Sequence, residues 1–163
     1  AYLRKENESM PVEVIVENFP SQHAISIKRN LKVPAFHQFI PQALEELKTH
    51  AAAQGANLAG DPICFYYGPV NENDDGPVEI CFPVEGNVTP SGEIVVREIP
   101  GHRAAVGAAG AEQSRYPEIL EVWDGVSSWV QRNKLVMTEA TLCCYEIWHN
   151  DRISVVMPFE SGD

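Results

Sequence analysis

A glutamate in the middle of an otherwise apolar run is the residue of this chain most suited to chemistry. Glu146 lies within Leu142, Cys143, Cys144, Tyr145, Glu146, Ile147 and Trp148, where six of seven residues are apolar. Carboxylates are rarely buried unless they are paired. Side chains alternate along a strand, so Leu142, Cys144, Glu146 and Trp148 share one face. Three arrangements satisfy that pattern: a solvent-facing strand residue, an ion-pair partner of Arg103 or Arg152, or a carboxylate in a pocket wall beside Cys144 and Trp148. In the third, desolvation disfavours the charged form, and a bound organic cation restores it while gaining Coulomb energy. An unpaired carboxylate of that kind would tolerate replacement by glutamine with the fold intact or stabilised. Aromatic rings at Tyr66, Trp148, Tyr116 and Phe36 could stack on a flat cation, each contact contributing about 0.5–2 kcal/mol. Phe36, Trp123 and Trp129 also lie on helical stripes, a placement that favours core packing.

Other chemistries find less support. His23, His37, His50, His102 and His149 are scattered without metal-ligand spacing, so neither a metal nor a cofactor is expected. Cys64, Cys81, Cys143 and Cys144 sit in apolar runs without CxxC spacing and read as reduced packing residues. Neighbours on a strand point to opposite faces, so Cys143 and Cys144 do not suit each other as a disulfide pair. No GxSxG elbow and no phosphate-binding glycine loop is present.

The elements that must position these residues follow from apolar periodicity. Val12 to Glu17 and His23 to Lys28 alternate as strands around a turn from Phe19 to Gln22. Phe36, Ile40, Ala43, Leu44, Leu47 and Ala51 recur at helical spacing, with Pro41 expected in the first turn and Gly55 as the stop. Strands Ile63 to Tyr67 and Val78 to Val84 flank an acidic turn from Asn71 to Gly76. Strands Glu93 to Ile99 and Arg103 to Gly107 come next, then a helical stripe through Tyr116, Ile119, Leu120, Trp123, Val126 and Val130, with Pro117 in its first turn. Strands Ala140 to Trp148 and Arg152 to Phe159 complete the set.

The chain matches itself at an offset of 80, which lays Val14 to Pro20 on Ile94 to Pro100, Cys64 on Cys144 and Phe65 on Tyr145. Beyond the acidic turn the offset falls to 75, where Val78, Ile80 and Phe82 meet Ile153, Val155 and Met157. Amphipathic helices must cover a sheet, so each half is expected to be a strand, helix, strand, strand unit. The fold class is α+β, mainly antiparallel, with two main helices and pseudo-twofold symmetry. Residues 1–11 form an extension or linker and 12–163 one domain, its halves spanning about 12–85 and 92–160. Under the duplication Glu146 takes the place of Tyr66.

Twelve Lys and Arg against 23 Asp and Glu give a net charge of -11, which opposes docking on nucleic acid or anionic lipid and favours cationic partners. No apolar stretch reaches the ~18 residues of a spanning helix, and the charged opening residues lack a secretory signal's apolar core. A soluble, cytoplasmic chain without direct nucleic-acid or membrane contact is expected.

The run Tyr145-Glu146-Ile147-Trp148 followed by Asn150-Asp151 resembles the YExY and ND stretch of the GyrI-like small-molecule-binding domains, which also serve as effector-binding domains of AraC-type and MerR-type multidrug regulators. The strand ending at Pro20, the run Glu93 to Pro100, and Tyr116 ahead of a helix holding Trp123 and Trp129 extend the resemblance over Val12 to Phe159. It implies two strand-helix-strand-strand modules with a pocket between them for planar, apolar, often cationic molecules. The functional glutamate then falls on Glu146 and the aromatic ahead of the second helix on Tyr116. This chain has Trp148 where many members have Tyr, and Ser114 and Arg115 replace the usual Gly-Pro pair. Three roles are open under the resemblance. The first is a ligand-binding module, alone or fused or partnered to a DNA-binding domain. The second is a hydrolase of cyclopropane-bearing electrophiles with Glu146 as acid or base, and the third a gyrase-directed interaction module.

Overall fold

The computed structural model describes residues 12–68, 70–138 and 142–160. The extension 1–11 and the expected start of the last-but-one strand at Ala140 lie outside the described residues. Eight strands form one path, β1 (Val14–Phe19), β2 (Gln22–Leu31), β4 (Ile63–Tyr66), β5 (Gly76–Glu85), β6 (Val95–Ile99), β7 (His102–Ala108), β9 (Tyr145–Trp148) and β10 (Ile153–Glu160), with the short β3 (Asn57–Leu58) and β8 (Val136–Met137) off it. Helices α1 (Val33–Ala53) and α2 (Ile119–Arg132) link β2 to β3 and β7 to β8. The strand order is β1-β7-β10-β9-β4-β5-β2-β6, antiparallel throughout.

That order reads the same from both ends once β1 is equated with β6, β2 with β7, β4 with β9 and β5 with β10, so the duplication is present in the topology. Phe65 and Tyr145, which the offset of 80 superposes, face each other across β4 and β9. The pseudo-twofold axis therefore passes between them. The first strand of each half crosses over: β1 pairs with β7 of the second half, and β6 with β2 of the first. This exchange of edge strands couples the halves in a way that periodicity alone does not encode.

Both helices lie on the face that carries Cys64 and Glu146. Helix α1 buries Phe39, Ala43, Leu47 and Ala51 against Ile25, Ile27, Val78 and Ile80, and α2 buries Val122, Val126 and Val130 against Ala105, Val155 and Met157. Gly107 permits the second contact, because a Cβ there would stand 2.4 Å from the Val126 side chain. The opposite face has its own core of Phe65, Cys81, Ile99, Val106, Tyr145 and Val156. Cys143 packs toward that core and Cys144 toward α2, on opposite faces, although β9 begins only at Tyr145 and both cysteines precede the observed start of the expected strand.

Two local expectations are corrected. Helix α1 begins at Val33 with Pro34 in its first turn, so Pro41 stands inside the helix. Pro41 and His37 are both exposed, which lets water take the carbonyl that the missing N–H leaves free. Helix α2 begins at Ile119, so Tyr116 and Pro117 belong to the turn ahead of it and not to its stripe. Among the described residues no helix is long and apolar enough to cross a membrane.

Candidate functional site

The centre of the helix-covered face is left open because α1 and α2 each cover their own half of the sheet. A cavity of about 760 Å³ fills the gap, walled by Phe36 and Ile40 of α1 and by Ile119 and Trp123 of α2, with Tyr66, Glu146 and Trp148 as its floor. This volume is in the range of small-molecule sites, roughly 300–1,000 Å³. Segments near Tyr116 and Asp151 form the rim, where Arg115 and Arg152 also stand. Tyr116 Oη donates to Glu72, tying the turn ahead of α2 to the acidic loop of the first half.

Glu146 is 4% exposed. Its Oε1 accepts from Tyr66 Oη at 2.8 Å and from Trp148 Nε1 at 2.9 Å, and its Oε2 accepts from Trp123 Nε1 at 2.8 Å. Tyr66 reaches it because the two residues are equivalents under the pseudo-twofold, on adjacent strands and the same face. Indole N–H groups can only donate, so the constellation matches a carboxylate that accepts at both oxygens. Burial, and after it the nearby Cys64 thiol and Glu146, push the Tyr66 hydroxyl well above its ordinary range, which keeps it a donor. Burial, followed by the charge of Glu146, likewise raises Cys64 and holds it as a thiol.

Among the described residues no salt bridge reaches Glu146, so of its three possible arrangements the ion pair with Arg103 or Arg152 is absent and solvent exposure is excluded. Arg103 instead stacks on Phe159, 5.7 Å from its ring centroid. What remains is a buried carboxylate solvated by three neutral donors at the floor of an apolar cavity. The expectation that glutamine would be tolerated there is corrected, because an amide NH2 would confront a donor and leave it unsatisfied.

Tyr66, Trp148, Phe36 and Tyr116 all meet at this cavity, and the Phe36 and Tyr66 rings lie 6.3 Å apart. Cys144 does not line it and stands instead in a neighbouring cavity beyond Tyr66 and Trp123. Trp123 packs against the α2 core as its stripe implies, and it also lines the cavity, which its stripe does not indicate. Its ring meets Tyr66 edge to face at 5.7 Å while its N–H turns to Glu146. The only sequence signal for this was an indole on an apolar stripe, which most often marks core.

A second buried carboxylate escaped notice. Glu79, 5% exposed on the opposite face, accepts from Ser26 Oγ at 2.6 Å and Arg97 Nη1 at 2.7 Å, and also from Tyr67 Oη. It too is a mid-strand acid among apolar neighbours, in Val78-Glu79-Ile80-Cys81. Among the described residues no cluster of three His, Cys, Asp or Glu side chains could hold a metal ion.

The family model of the GyrI-like small molecule binding domain matches residues 12–157. Among solved structures, this chain is similar to EcmrR in its DNA complex, with a TM-score of 0.80 at 18% identity over 99% of this chain and 63% of that one. It therefore spans less than two thirds of that protein's length. The separate EcmrR C-terminal domain gives a TM-score of 0.77 at 15% identity, covering 94% of this chain and all 100% of the other. A hydrolase from Listeria innocua gives 0.63 at 9% identity over 97% of each chain. SAV2435 bound to tetraphenylphosphonium gives 0.55 at 14% identity over 91% of this chain and 94% of that one. No curated protein sequence matches the chain.

Proposed function

The chain belongs to the GyrI-like family of small-molecule-binding domains, and from that premise we propose that it binds planar, amphipathic cations between its two halves with Glu146 as the electrostatic anchor. The observation that carries this is a buried carboxylate held by three neutral donors, without an ion-pair partner among the described residues, on the floor of an apolar cavity. Neutral donors compensate a buried anion less completely than a cation does, so the site retains a net negative potential. A flat cation entering the cavity brings the missing charge, and Tyr66, Trp123, Trp148 and Phe36 offer ring faces and edges to its π system. Water exclusion by these walls strengthens the attraction, since the local dielectric falls well below that of bulk solvent.

The structural likeness to SAV2435 bound to tetraphenylphosphonium supports a cationic ligand. The likeness to EcmrR in complex with DNA supports the role of an effector-binding module whose operator contacts come from another segment, consistent with the net charge of -11 on these residues. Tyr116, joined to Glu72 across the rim, would couple ligand entry to the acidic loop. Wild-type protein titrated with 10-methylacridinium and with neutral acridine at pH 8 tests the proposal: the cation is expected to bind at least ten-fold tighter. Equal affinity would refute the anchor role. Product formation from a cyclopropane-bearing electrophile, abolished by Glu146→Gln, would replace binding with hydrolysis, the role named for the Listeria innocua relative.

A further inference from the structure

The ladder between β4 and β9 stops at the pseudo-twofold pair Phe65 and Tyr145. Continued, it would join Tyr66 to Cys144 and Tyr67 to Cys143. Leu142 N–H instead turns back to the Thr138 carbonyl at 2.8 Å, while Tyr67 N–H continues the pairing of β4 with β5 at the Pro77 carbonyl, 3.0 Å away. The sheet splits at its middle, and a second cavity of about 660 Å³ opens in the split. It shares Tyr66, Gly68 and Trp123 with the first cavity. Beyond them it is lined by the sulfur side chains Met137, Met157, Cys143 and Cys144 and by the polar residues Tyr67, Asp124 and Ser127. Cys144 Sγ lies 3.9 Å from Met137 Sδ.

We propose that this sulfur-lined chamber is a subsite for the apolar tail of an elongated cation whose aromatic head rests on Glu146, so that the preferred ligands are tailed and not compact. The inference rests on the head-binding site proposed above. The partition between the chambers is the edge-to-face pair of Tyr66 and Trp123, and both rings donate to the one carboxylate that the head would engage. A cation drawing on Glu146 competes with the bonds that hold the partition in place. Thioethers and thiols are polarisable, and Met side chains repack around chains of varying shape, which suits a tail more than a rigid ring. Asp124 stands at the exposed side of the chamber and keeps that end wet.

The test is a series of N-alkylacridinium ions from methyl to octyl, titrated below micellar concentration against wild-type protein and Ser127→Phe, which fills the chamber from α2 at a position that does not line the first cavity. Wild-type affinity is expected to rise about three- to four-fold for each methylene that enters the chamber. In Ser127→Phe the rise should vanish while methylacridinium binds as before. A measurement that needs no variant accompanies it: octylacridinium should slow alkylation of Cys143 in the wild type several-fold, and methylacridinium should not. Equal affinity of the methyl and octyl ions, an unchanged rise in folded Ser127→Phe, or unprotected Cys143 overturns the tail subsite alone. Failure of methylacridinium itself to bind overturns the Glu146 site and this inference with it.

Discussion

Two buried carboxylates stand on opposite faces of the same sheet, and their surroundings differ in one respect. Glu79 accepts from Ser26, Tyr67 and the guanidinium of Arg97, so its charge is answered within the fold. Glu146 accepts from one hydroxyl and two indoles, all neutral, and an apolar cavity opens beside it. Each has its hydrogen bonds satisfied, and no buried side-chain nitrogen or oxygen among the described residues lacks a partner. The difference is therefore one of charge and not of hydrogen-bond number. An internally paired acid holds strands together, whereas an acid solvated by neutral donors beside a cavity is the one that the proposed cation would engage.

The sharpest way to break that contrast is to take away the cation Glu79 already has. Arg97→Met leaves a buried carboxylate with two neutral donors, and breaking such a pair costs about 3–5 kcal/mol. Urea unfolding should show a loss toward the lower end, since Arg97 retains some solvent access, with acridinium binding to the native fraction unchanged. The double variant Glu79→Met with Arg97→Met should recover most of the loss. If Arg97→Met is as stable as the wild type, the ion pair has no structural role and the two acids do not differ as described.

On the other face, Trp148→Ala removes both a donor to Glu146 and a ring from the cavity floor. Affinity for methylacridinium should fall by about 2 kcal/mol, as expected for a lost aromatic contact and a charged hydrogen bond. Trp148→Phe, which keeps a ring without the N–H, should fall between. Isothermal titration at two salt concentrations checks the order, and a large salt effect would move the ligand from the cavity to the acidic surface.

A smaller, pH-dependent effect belongs to the paired face. His102 stacks on Phe19 at 5.0 Å, with Nδ1 2.8 Å from the Pro100 carbonyl and Nε2 2.6 Å from Tyr145 Oη. Burial lowers its pKa from the ordinary 6.5, against a smaller opposing contribution from the Pro100 carbonyl. The unfolded chain thus takes up the proton first, so stability is fully present above about pH 6.5 and declines as pH falls through the lowered value. Urea midpoints between pH 7.5 and 5 should fall less steeply for His102→Gln than for the wild type. Identical slopes would show that His102 has no part in the acid response.

The legibility of these features follows the range over which each is determined. Alternation and helical spacing fixed the strands and helices because a side chain's face depends on its immediate neighbours, and the self-match at 80 residues carried the palindromic strand order. Pro41 misled because a proline in a helix interior is tolerated when the freed carbonyl faces water, and exposure of that turn depends on tertiary packing. Glu146 stood out as an acid in an apolar strand, but the same signal in Val78-Glu79-Ile80-Cys81 marks a residue of opposite character. What separates them is Arg97, delivered by a crossed-over edge strand, and Trp123, delivered by the second helix. Neither delivery is visible in the local sequence around the acid. The neighbouring chamber exists because two strands part after three paired residues, which no periodicity records.

The central claim is that the charge of Glu146, and not the shape of its pocket, selects cations. Glu146→Gln keeps the shape while removing the charge, at an expected stability cost of about 1–3 kcal/mol from the donor its amide leaves unsatisfied. Affinities of folded Glu146→Gln and of the wild type for 10-methylacridinium and neutral acridine at pH 8 are the direct measurement. The wild type should prefer the cation, and the variant should bind it about 1.5–3 kcal/mol more weakly while holding acridine nearly as well. An undiminished preference for the cation in Glu146→Gln would contradict the assignment.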